Sequence, residues 1–470
     1  MEQSILKIQK QIYTNSLPHF LQRAFYIVNQ GTDYEHNWHL DAIGEALGEI
    51  YNGNIKRLII NIPPRYLKSF CVSVAFPAWV LGKNPQKRII VASYSEKLTL
   101  KHSTDCRLIM KSGWFRNIFP GCVLSKNQNE KYKFSTTNNG YRFATSVGGT
   151  LTGEGGDILI IDDPHNPQSV LSDKYRQKTL DWYSNTFSSR LNDKKSGAII
   201  IVMQRLHPND LTGYLLERNK NNWHHLSLPV VFEENCEINV GNFSRKCKKD
   251  EFLFEKREGL DEIDKMKIDM GTYVFNAQYQ QRPMSAECGM FRRKWFRYFE
   301  NDVAFDNIFL SFDTALKIGI NNDPTVCTIW GEHENNLYLI DVFREWLEYP
   351  DLKKETIKLI EKYEPMAVLI EDKASGQSLI QDLRRDSKCN VIAIKVTRDK
   401  ITRFASVTPF FESGKVFILK NSPWLFEYEY ELVSFPNVKH DDQVDSTSQF
   451  LSWINGRKTR TNKSFRLRKL

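Results

Sequence analysis

The residues of this chain best suited to chemistry are two separate sets of carboxylates, one in each half. In the first half, the apolar run Ile158-Leu159-Ile160-Ile161 ends in Asp162-Asp163. Upstream, the strand-like run Arg57 to Ile62 passes through Pro63-Pro64-Arg65-Tyr66-Leu67 into Lys68-Ser69. In the second half, Asp313 follows Phe309-Leu310-Ser311-Phe312, Glu371 follows Ala367-Val368-Leu369-Ile370, and Asp441, Asp442 and Asp445 open a late helix-like stretch. An acid just past an apolar strand lies at the sheet edge, where ligands bind. A lysine, a hydroxyl and a pair of acids are what a nucleoside triphosphate and its magnesium ion require. Scattered acids without cysteine partners suit hard divalent ions, and two such ions cut a phosphodiester.

In the first set, a loop between strand and helix wraps phosphates with backbone N–H groups. Here Pro64, Arg65, Tyr66 and Leu67 would supply that loop, Lys68 would neutralise the outer phosphates, and Ser69 would meet Mg2+. The glycines of an ordinary phosphate loop are missing, with Ile62 and Leu67 in their places. Asp162 is expected to hold the ion's water shell and Asp163 to polarise the attacking water. A plain acidic turn before Pro164 is the competing reading.

In the second set, Asp441 and Asp445 are four apart and share a helix face, with Asp442 at the margin of the site. Asp313, Glu371 and this triplet are expected to bind Mg2+, with Mn2+ as a substitute. Asp323 and Asp372 are auxiliary candidates, though a strand-end turn accounts for Asp372 as well. Lys373 and His440 either meet the scissile phosphate or form a charged rim. Lys395, Arg398, Lys400 and Arg403 form a basic stretch that either tracks a DNA backbone or is a solvated face.

The elements that must position these groups alternate. Residues 1–50 read as helices. Strand-like runs at Arg57 to Ile62, Arg88 to Ser93, Tyr141 to Thr145, Asp157 to Ile161 and Ala198 to Met203 are separated by helical stretches, which argues for a parallel sheet covered by helices. After a polar, charged stretch the pattern restarts at Phe305 with three strands, then helix-strand alternation, then a last helix from about Asp441 to Trp453. The order of this half is that of a ribonuclease-H-like domain. The expected layout is 1–230, a nucleotide-binding domain; 231–289, a loop-rich bridge; 290–455, the second α/β domain; and 456–470, a basic tail.

Composition is that of a globular protein: 470 residues, 41% hydrophobic and 26% charged. No apolar run approaches the roughly 20 residues that span a bilayer, so no membrane is expected among the partners. The polar first ten residues do not read as a secretory signal. Eight cysteines, Cys288 among them, are scattered without a Cys-x-x-Cys pair; Cys236 and Cys247 are spaced to meet across a hairpin. The net charge is +9, of which seven positive charges lie in the tail, between Arg457 and Lys469, leaving the rest near balance. Such a tail is expected to be disordered alone, either gripping phosphates or solubilising the chain end.

Together these motifs resemble those of the large terminase subunits, the DNA-packaging motors of tailed bacteriophages. The likeness runs from about Trp38 to Leu451. It rests on Pro63-Pro64-Arg65-x-x-Lys68-Ser69, Val91-Ala92-Ser93-Tyr94-Ser95, Gly148-Gly149-Thr150-Leu151-Thr152-Gly153, Asp162-Asp163-Pro164-His165 and Gln204 to Leu211. In the second half it rests on Ser311-Phe312-Asp313-Thr314-Ala315, Ile370-Glu371-Asp372-Lys373-Ala374-Ser375-Gly376 and Lys439-His440-Asp441-Asp442-x-x-Asp445.

The resemblance implies an α/β fold: an N-terminal P-loop NTPase sheet flanked by helices, then a ribonuclease-H-like nuclease domain. It implies ATP and Mg2+ as cofactors and an ATPase that moves double-stranded DNA into a procapsid while a two-metal endonuclease cuts concatemers. The implied partners are the DNA, a portal protein and a small terminase subunit. The implied assembly is a ring on the portal, with a monomer in solution also compatible, in the host cytoplasm. Gln204 opens the segment that resembles the coupling motif. Trp38 is placed to stack on adenine, with a core tryptophan as the alternative. Arg65 is placed to stabilise charge on the transferred phosphate, with Arg205 or Arg190 of a neighbouring subunit as alternatives. Three departures stand out: Leu67 for a glycine, Asp163 for a longer glutamate, and Gln204 and Leu206 for threonine and tryptophan. A helicase-like ATPase-nuclease of repair or defence, and a non-enzymatic DNA-binding scaffold, are the other readings.

Overall fold

A computed structural model describes residues 2–151, 153–285, 290–300, 303–314, 323–438 and 440–467; at 2–6, 374–375 and 458–467 only the backbone is described. Thr152, Cys288, Ala315 and Lys439, named above, lie outside the described residues, as do tail residues 468–470. The chain forms two units. The first comprises Met1–Ile263 and Val274–Pro283, the second Asp264–Tyr273 and Met284–Leu470.

The first unit is built on eight strands: β1 (Arg57–Asn61), β2 (Arg88–Ser93), β3 (Leu124–Asn129), β4 (Lys133–Thr136), β5 (Tyr141–Ser146), β6 (Ile158–Asp162), β7 (Ala198–Met203) and β8 (His224–Ser227). Their order is β3-β4-β5-β2-β6-β7-β1-β8. All pairs from β5 to β8 are parallel. The β3–β4 and β4–β5 pairs are antiparallel. Continuous apolar runs make the centre: every residue of β6 and β7 is buried. Helices cover both faces of such strands, so no polar alternation is needed. Each fully buried isoleucine there contributes roughly 1.5–3 kcal/mol.

The helix expected from Ser69 begins as a π-helical turn, Phe70–Ala75, and only then becomes the α-helix Phe76–Lys83. Pro77 explains part of this. It has no N–H to offer the carbonyl of Ser73 four residues earlier. The guanidinium of the buried Arg142 on β5 donates Nη2 to that carbonyl at 3.0 Å instead.

Beside the sheet, β9 (Cys236–Val240) and β10 (Phe243–Cys247) form an antiparallel hairpin that sets Cys236 opposite Cys247, both as free thiols.

The second unit holds seven strands: β11 (Tyr298–Phe299), β12 (Asn307–Asp313), β13 (Thr325–His333), β14 (Asn336–Glu345), β15 (Ala367–Glu371), β16 (Val391–Ile394) and β17 (Val416–Leu419). Their order is β11-β17-β14-β13-β12-β15-β16. β12, β13 and β14 are antiparallel, whereas β15 joins β12 and β16 joins β15 in parallel. The order expected from sequence, three antiparallel strands and then alternation, is the one observed.

One face of this sheet is covered by the closing helix Asp442–Leu467. Phe450 stacks on Trp330 at 4.8 Å between ring centroids, and Phe309 packs against Phe450 at 5.6 Å. The helix was expected to stop near Trp453 before a structureless tail; its backbone instead stays helical to Leu467. No proline interrupts Gly456 to Leu467, and one glycine costs a helix only about 1 kcal/mol. Among the described residues, no helix is long and apolar enough to cross a membrane.

Candidate active sites

In the first unit, β1 and β6 flank β7, so the loop after β1 and the acids ending β6 share the carboxyl edge of the sheet. The loop makes its tight turn without glycine. Arg65 and Leu67 take the left-handed conformation, with φ of 71° and 59°. L-residues adopt that region at a cost of roughly 1–2 kcal/mol each, so neighbours must hold the loop. Tyr66 is its anchor: buried, it donates its hydroxyl to Glu258 Oε2 at 2.8 Å, and its ring meets His39 edge-on at 5.4 Å.

Lys68 and Ser69 then turn to the acids. Lys68 Nζ donates to Gln204 Oε1 at 2.9 Å and pairs with Asp163 Oδ2 at 3.1 Å. Ser69 Oγ donates to Asp162 Oδ1 at 2.9 Å. Asp163, with φ of 45°, ties three strand ends together. Its N–H donates to Val202 O beyond β6, its carbonyl accepts from Tyr94 N after β2, and its Oδ1 accepts from Gln204 N at 3.4 Å after β7. Burial pushes both acids above the usual carboxylate range. Contacts from Lys68 and Ser69, and the charge of Arg142, oppose this at Asp162; Lys68 opposes it at Asp163.

A cavity of about 800 Å³ opens here, lined by Pro64, Arg65, Leu67, Lys68, Ser69, Asp163 and Gln204. Arg65 is exposed on its wall, with no hydrogen bond or ion pair among the described residues. The alternative arginines are engaged elsewhere. Arg205 binds both oxygens of Asp210 at 3.0 Å, and Arg190 donates to Ser189 Oγ and the Leu151 carbonyl. Trp38 is not among the lining residues. Half-buried, it lies parallel to Phe243 at 6.2 Å, with Arg245 over its ring at 4.8 Å. Its neighbour His39 lines the cavity instead.

Two histidines complete this edge, of which His102 had no sequence signal and His165 closes the Asp162-Asp163-Pro164-His165 motif. His102 sits in mid-helix, yet its Nδ1 lies 3.4 Å from Asp162 Oδ2; burial pushes its pKa down to about 4, so it is neutral at pH 7. His165 Nε2 accepts from Leu211 N at 2.9 Å, joining the segment after β6 to the segment after β7. Asp210 caps that second segment, accepting from Leu206, His207 and Gly213 N–H groups.

In the second unit, Phe312 pairs with Ile370, so Asp313 and Glu371 end adjacent parallel strands. The closing helix is pinned to β12 by reciprocal bonds: Ser311 Oγ donates to Ser446 O at 2.9 Å, and Ser446 Oγ donates to Ser311 O at 2.7 Å. Gln449 Nε2 adds a donor to Ser311 Oγ at 3.0 Å. These bonds hold Asp445, the residue before Ser446, at the strand end. Burial first, then the charges of Asp445, Glu371 and Asp442, push the Asp313 acid well above the usual range.

The triplet does not divide as the spacing suggested. Asp442, expected at the margin, is buried, and its pKa is pushed up to about 7, first by burial and then by Asp323, Glu431 and Asp441. Asp441 is the more exposed acid and binds Lys400. Asp445 is held by Arg403 Nη2 at 2.7 Å and Lys400 Nζ at 2.8 Å. The inversion follows from the helix start: it begins at Asp442, so Asp442 and Asp445, three apart, share its inner face. Lys373 pairs with Glu371, while Asp372 only accepts from Gln377 at 3.1 Å.

Among the described residues, one group offers ligand atoms all within 4.8 Å of one another: Asp323, His440 and Asp442. Asp313, Glu371 and Asp445 form no group that tight. Asp442 Oδ2 is buried without a hydrogen-bond partner. Oxygen donors with one imidazole, including a buried oxygen left unpaired, fit a hard divalent cation such as magnesium or manganese.

Residues 310–453 match the family model described as the terminase RNaseH-like domain. The large terminase of a thermophilic bacteriophage, solved in complex with ATP-gamma-S, is 11% identical; the match covers 86% of this chain and 98% of that one, with a TM-score of 0.50. At that identity the likeness speaks for the fold. The HK97 bacteriophage large terminase is 11% identical over 93% of this chain and 99% of its own, with a TM-score of 0.38, too loose to argue from. No curated protein matches the chain significantly. The resemblance of the motifs to large terminase subunits agrees with these matches, and the stretch that matches the terminase RNaseH-like domain lies within the second unit.

Proposed function

We propose that the chain is a viral DNA-packaging motor: an ATPase that drives double-stranded DNA into a procapsid, joined to a metal-dependent endonuclease that cuts concatemeric DNA. The observation that carries this reading is the meeting, in one chain, of the Lys68–Asp163 and Ser69–Asp162 pairs at one sheet edge with the Asp313 carboxylate cluster at another.

In the first unit, the backbone of Pro64 to Lys68 wraps the phosphates of ATP and Lys68 neutralises them. Ser69 and Asp162 would hold Mg2+, which would supply charge neutralisation to the phosphates. Asp163, released from Lys68 when phosphate takes its place, orients the attacking water. Arg65 points its guanidinium at charge developing on the transferred group. Gln204 senses the nucleotide through Lys68, and the His165–Leu211 bond carries the change into the segment capped by Asp210.

In the second unit, Asp313, Glu371, Asp442 and Asp445 hold divalent metal, with Asp441 at the rim. A divalent metal held by these acids would lower the pKa of water and steady the leaving oxygen. The partners on this reading are double-stranded DNA, a portal protein and a small terminase subunit, with the chain ringed on the portal in the host cytoplasm.

Two variants test this. Lys68→Ala should lose mant-ATP binding and ATP turnover but keep manganese-dependent plasmid cutting. Asp313→Ala should do the reverse. Equal mant-ATP signals in wild type and Lys68→Ala would favour a scaffold, and retained cutting in Asp313→Ala would remove that acid from the site.

A further inference from the structure

We propose that the second unit carries a pocket for one nucleotide phosphate and its base, beside the carboxylate cluster and distinct from it. The pocket lies between the segment after β16, the helix Lys400–Glu412 and the closing helix Asp442–Leu467. Its volume is about 290 Å³, and Lys395, Arg398, Arg403, Ser448, Ser452 and Trp453 line it. That is near the roughly 300 Å³ lower bound of small-ligand pockets, a size for one nucleotide unit rather than a larger cofactor.

The chemistry of the lining selects an anion. No carboxylate lines the pocket. Lys395 and Arg398 are exposed and have no ion pair among the described residues. Ser448 is only 1% exposed, yet its Oγ has no hydrogen-bond partner. Arg403 Nε is likewise buried and unpartnered, although its Nη2 is held by Asp445. A buried hydroxyl and a buried guanidinium N–H without acceptors are what a phosphate oxygen satisfies. A merely solvated basic run would have no use for either. Trp453 adds an aromatic wall on which a base can stack, as in single-strand binding sites.

Arg403 makes the pocket more than an adjacent patch. Arg403 lines the pocket and binds Asp445 with Nη2, so an occupant there touches the residue that positions an acid of the cluster. In this respect the inference rests on the nuclease reading. The same chemistry has two sources: a nucleotide in a bound DNA strand, or a free nucleotide that tunes cutting.

The test uses the full chain in EDTA, where no bond is cut, so its result is independent of whether Asp313 cuts. The probes are a fluorescein-labelled 12-nucleotide single strand, read by anisotropy, and thymidine monophosphate, read by calorimetry. Ser452→Phe fills the pocket from an exposed position without changing charge; Arg398→Ala removes a cation. Both variants should weaken at least one probe by tenfold or more at unchanged melting temperature. Loss for the strand alone assigns the pocket to bound DNA, and loss for the monophosphate to a free ligand. Should Ser452→Phe unfold, Thr397→Trp fills the pocket from its other rim with the same expectation. Unchanged affinity for both probes overturns the proposal. So does a loss confined to Arg398→Ala, which would report surface charge only.

Discussion

Lys68 and Asp163 form an ion pair at 3.1 Å, the lysine buried and the acid only partly exposed. The residue proposed to hold phosphate is thus occupied by the residue proposed to orient water. Phosphate entry must exchange one anion for another at Lys68, which couples binding to release of the base. Asp163→Asn removes the charge that holds Lys68, while the lysine keeps its bond to Gln204. Mant-ATP affinity should therefore be kept or raised, while turnover falls by about 10²–10⁴-fold, the scale of a lost general base. Steady-state ATPase assays beside equilibrium binding check both halves.

The loop geometry makes a second prediction. Leu67 occupies a left-handed conformation. Leu67→Gly removes that strain but adds unfolded-state freedom, so its stability should stay within about 1 kcal/mol of wild type. Leu67→Val puts a β-branched side chain at the same φ and should cost about 1–3 kcal/mol. Urea unfolding of the three proteins decides it: equal losses in both variants would mean that the loop does not hold this conformation.

The pinning of the closing helix predicts a packing effect with a functional readout. Ser446 bonds Ser311 O and meets Thr328 Oγ1 at 2.7 Å, all buried. Ser446→Val leaves those partners unpaired, at a cost of about 1–3 kcal/mol. Because Asp445 precedes it, manganese affinity should fall as well. Thermal denaturation with and without manganese separates the two effects: unchanged manganese affinity in a folded variant would remove the positioning role.

A pH dependence follows from Asp442. Its folded pKa of about 7 lies above the ordinary value near 4. Between these values the folded state binds the extra proton, so this residue stabilises the metal-free protein at low pH and that contribution is lost as pH rises toward 7. Divalent metal competes with the same proton, so apparent affinity should rise with pH up to about tenfold per unit between 5.5 and 7. Asp442→Asn should flatten both trends in calorimetric titrations across that range; unchanged slopes would place the proton elsewhere. Glu431, also pushed up to about 7 by burial, contributes to stability with the same sign but accepts only from Gln443 and Val444.

The central strands were legible because their side chains alone state their environment: Ile158 to Ile161 and Ala198 to Met203 can only be buried on both faces. The edge strands β3 and β4 were not. Leu124-Ser125-Lys126-Asn127-Gln128-Asn129 has no apolar period, since an edge strand packs little of itself. Asp313 and Glu371 were readable as strand-end acids. The roles within Asp441, Asp442 and Asp445 were not, because they turn on where the helix begins, a boundary one residue wide. Trp38 read equally as a base-stacking or a core residue, and its contact with Phe243, a neighbour about two hundred positions away, is one that spacing cannot reveal. His102 was invisible for the same reason.

On the proposed reading, Asp313, Glu371 and the Asp442–Asp445 face act on one divalent-metal site. Its most direct test is the anomalous difference map of a manganese-soaked crystal of the full chain. One or two peaks are expected among the carboxylates of Asp313, Glu371, Asp442 and Asp445, vanishing in Asp313→Asn. A map with no peak there, or with manganese held only by Asp323 and His440 away from Asp313, would contradict it.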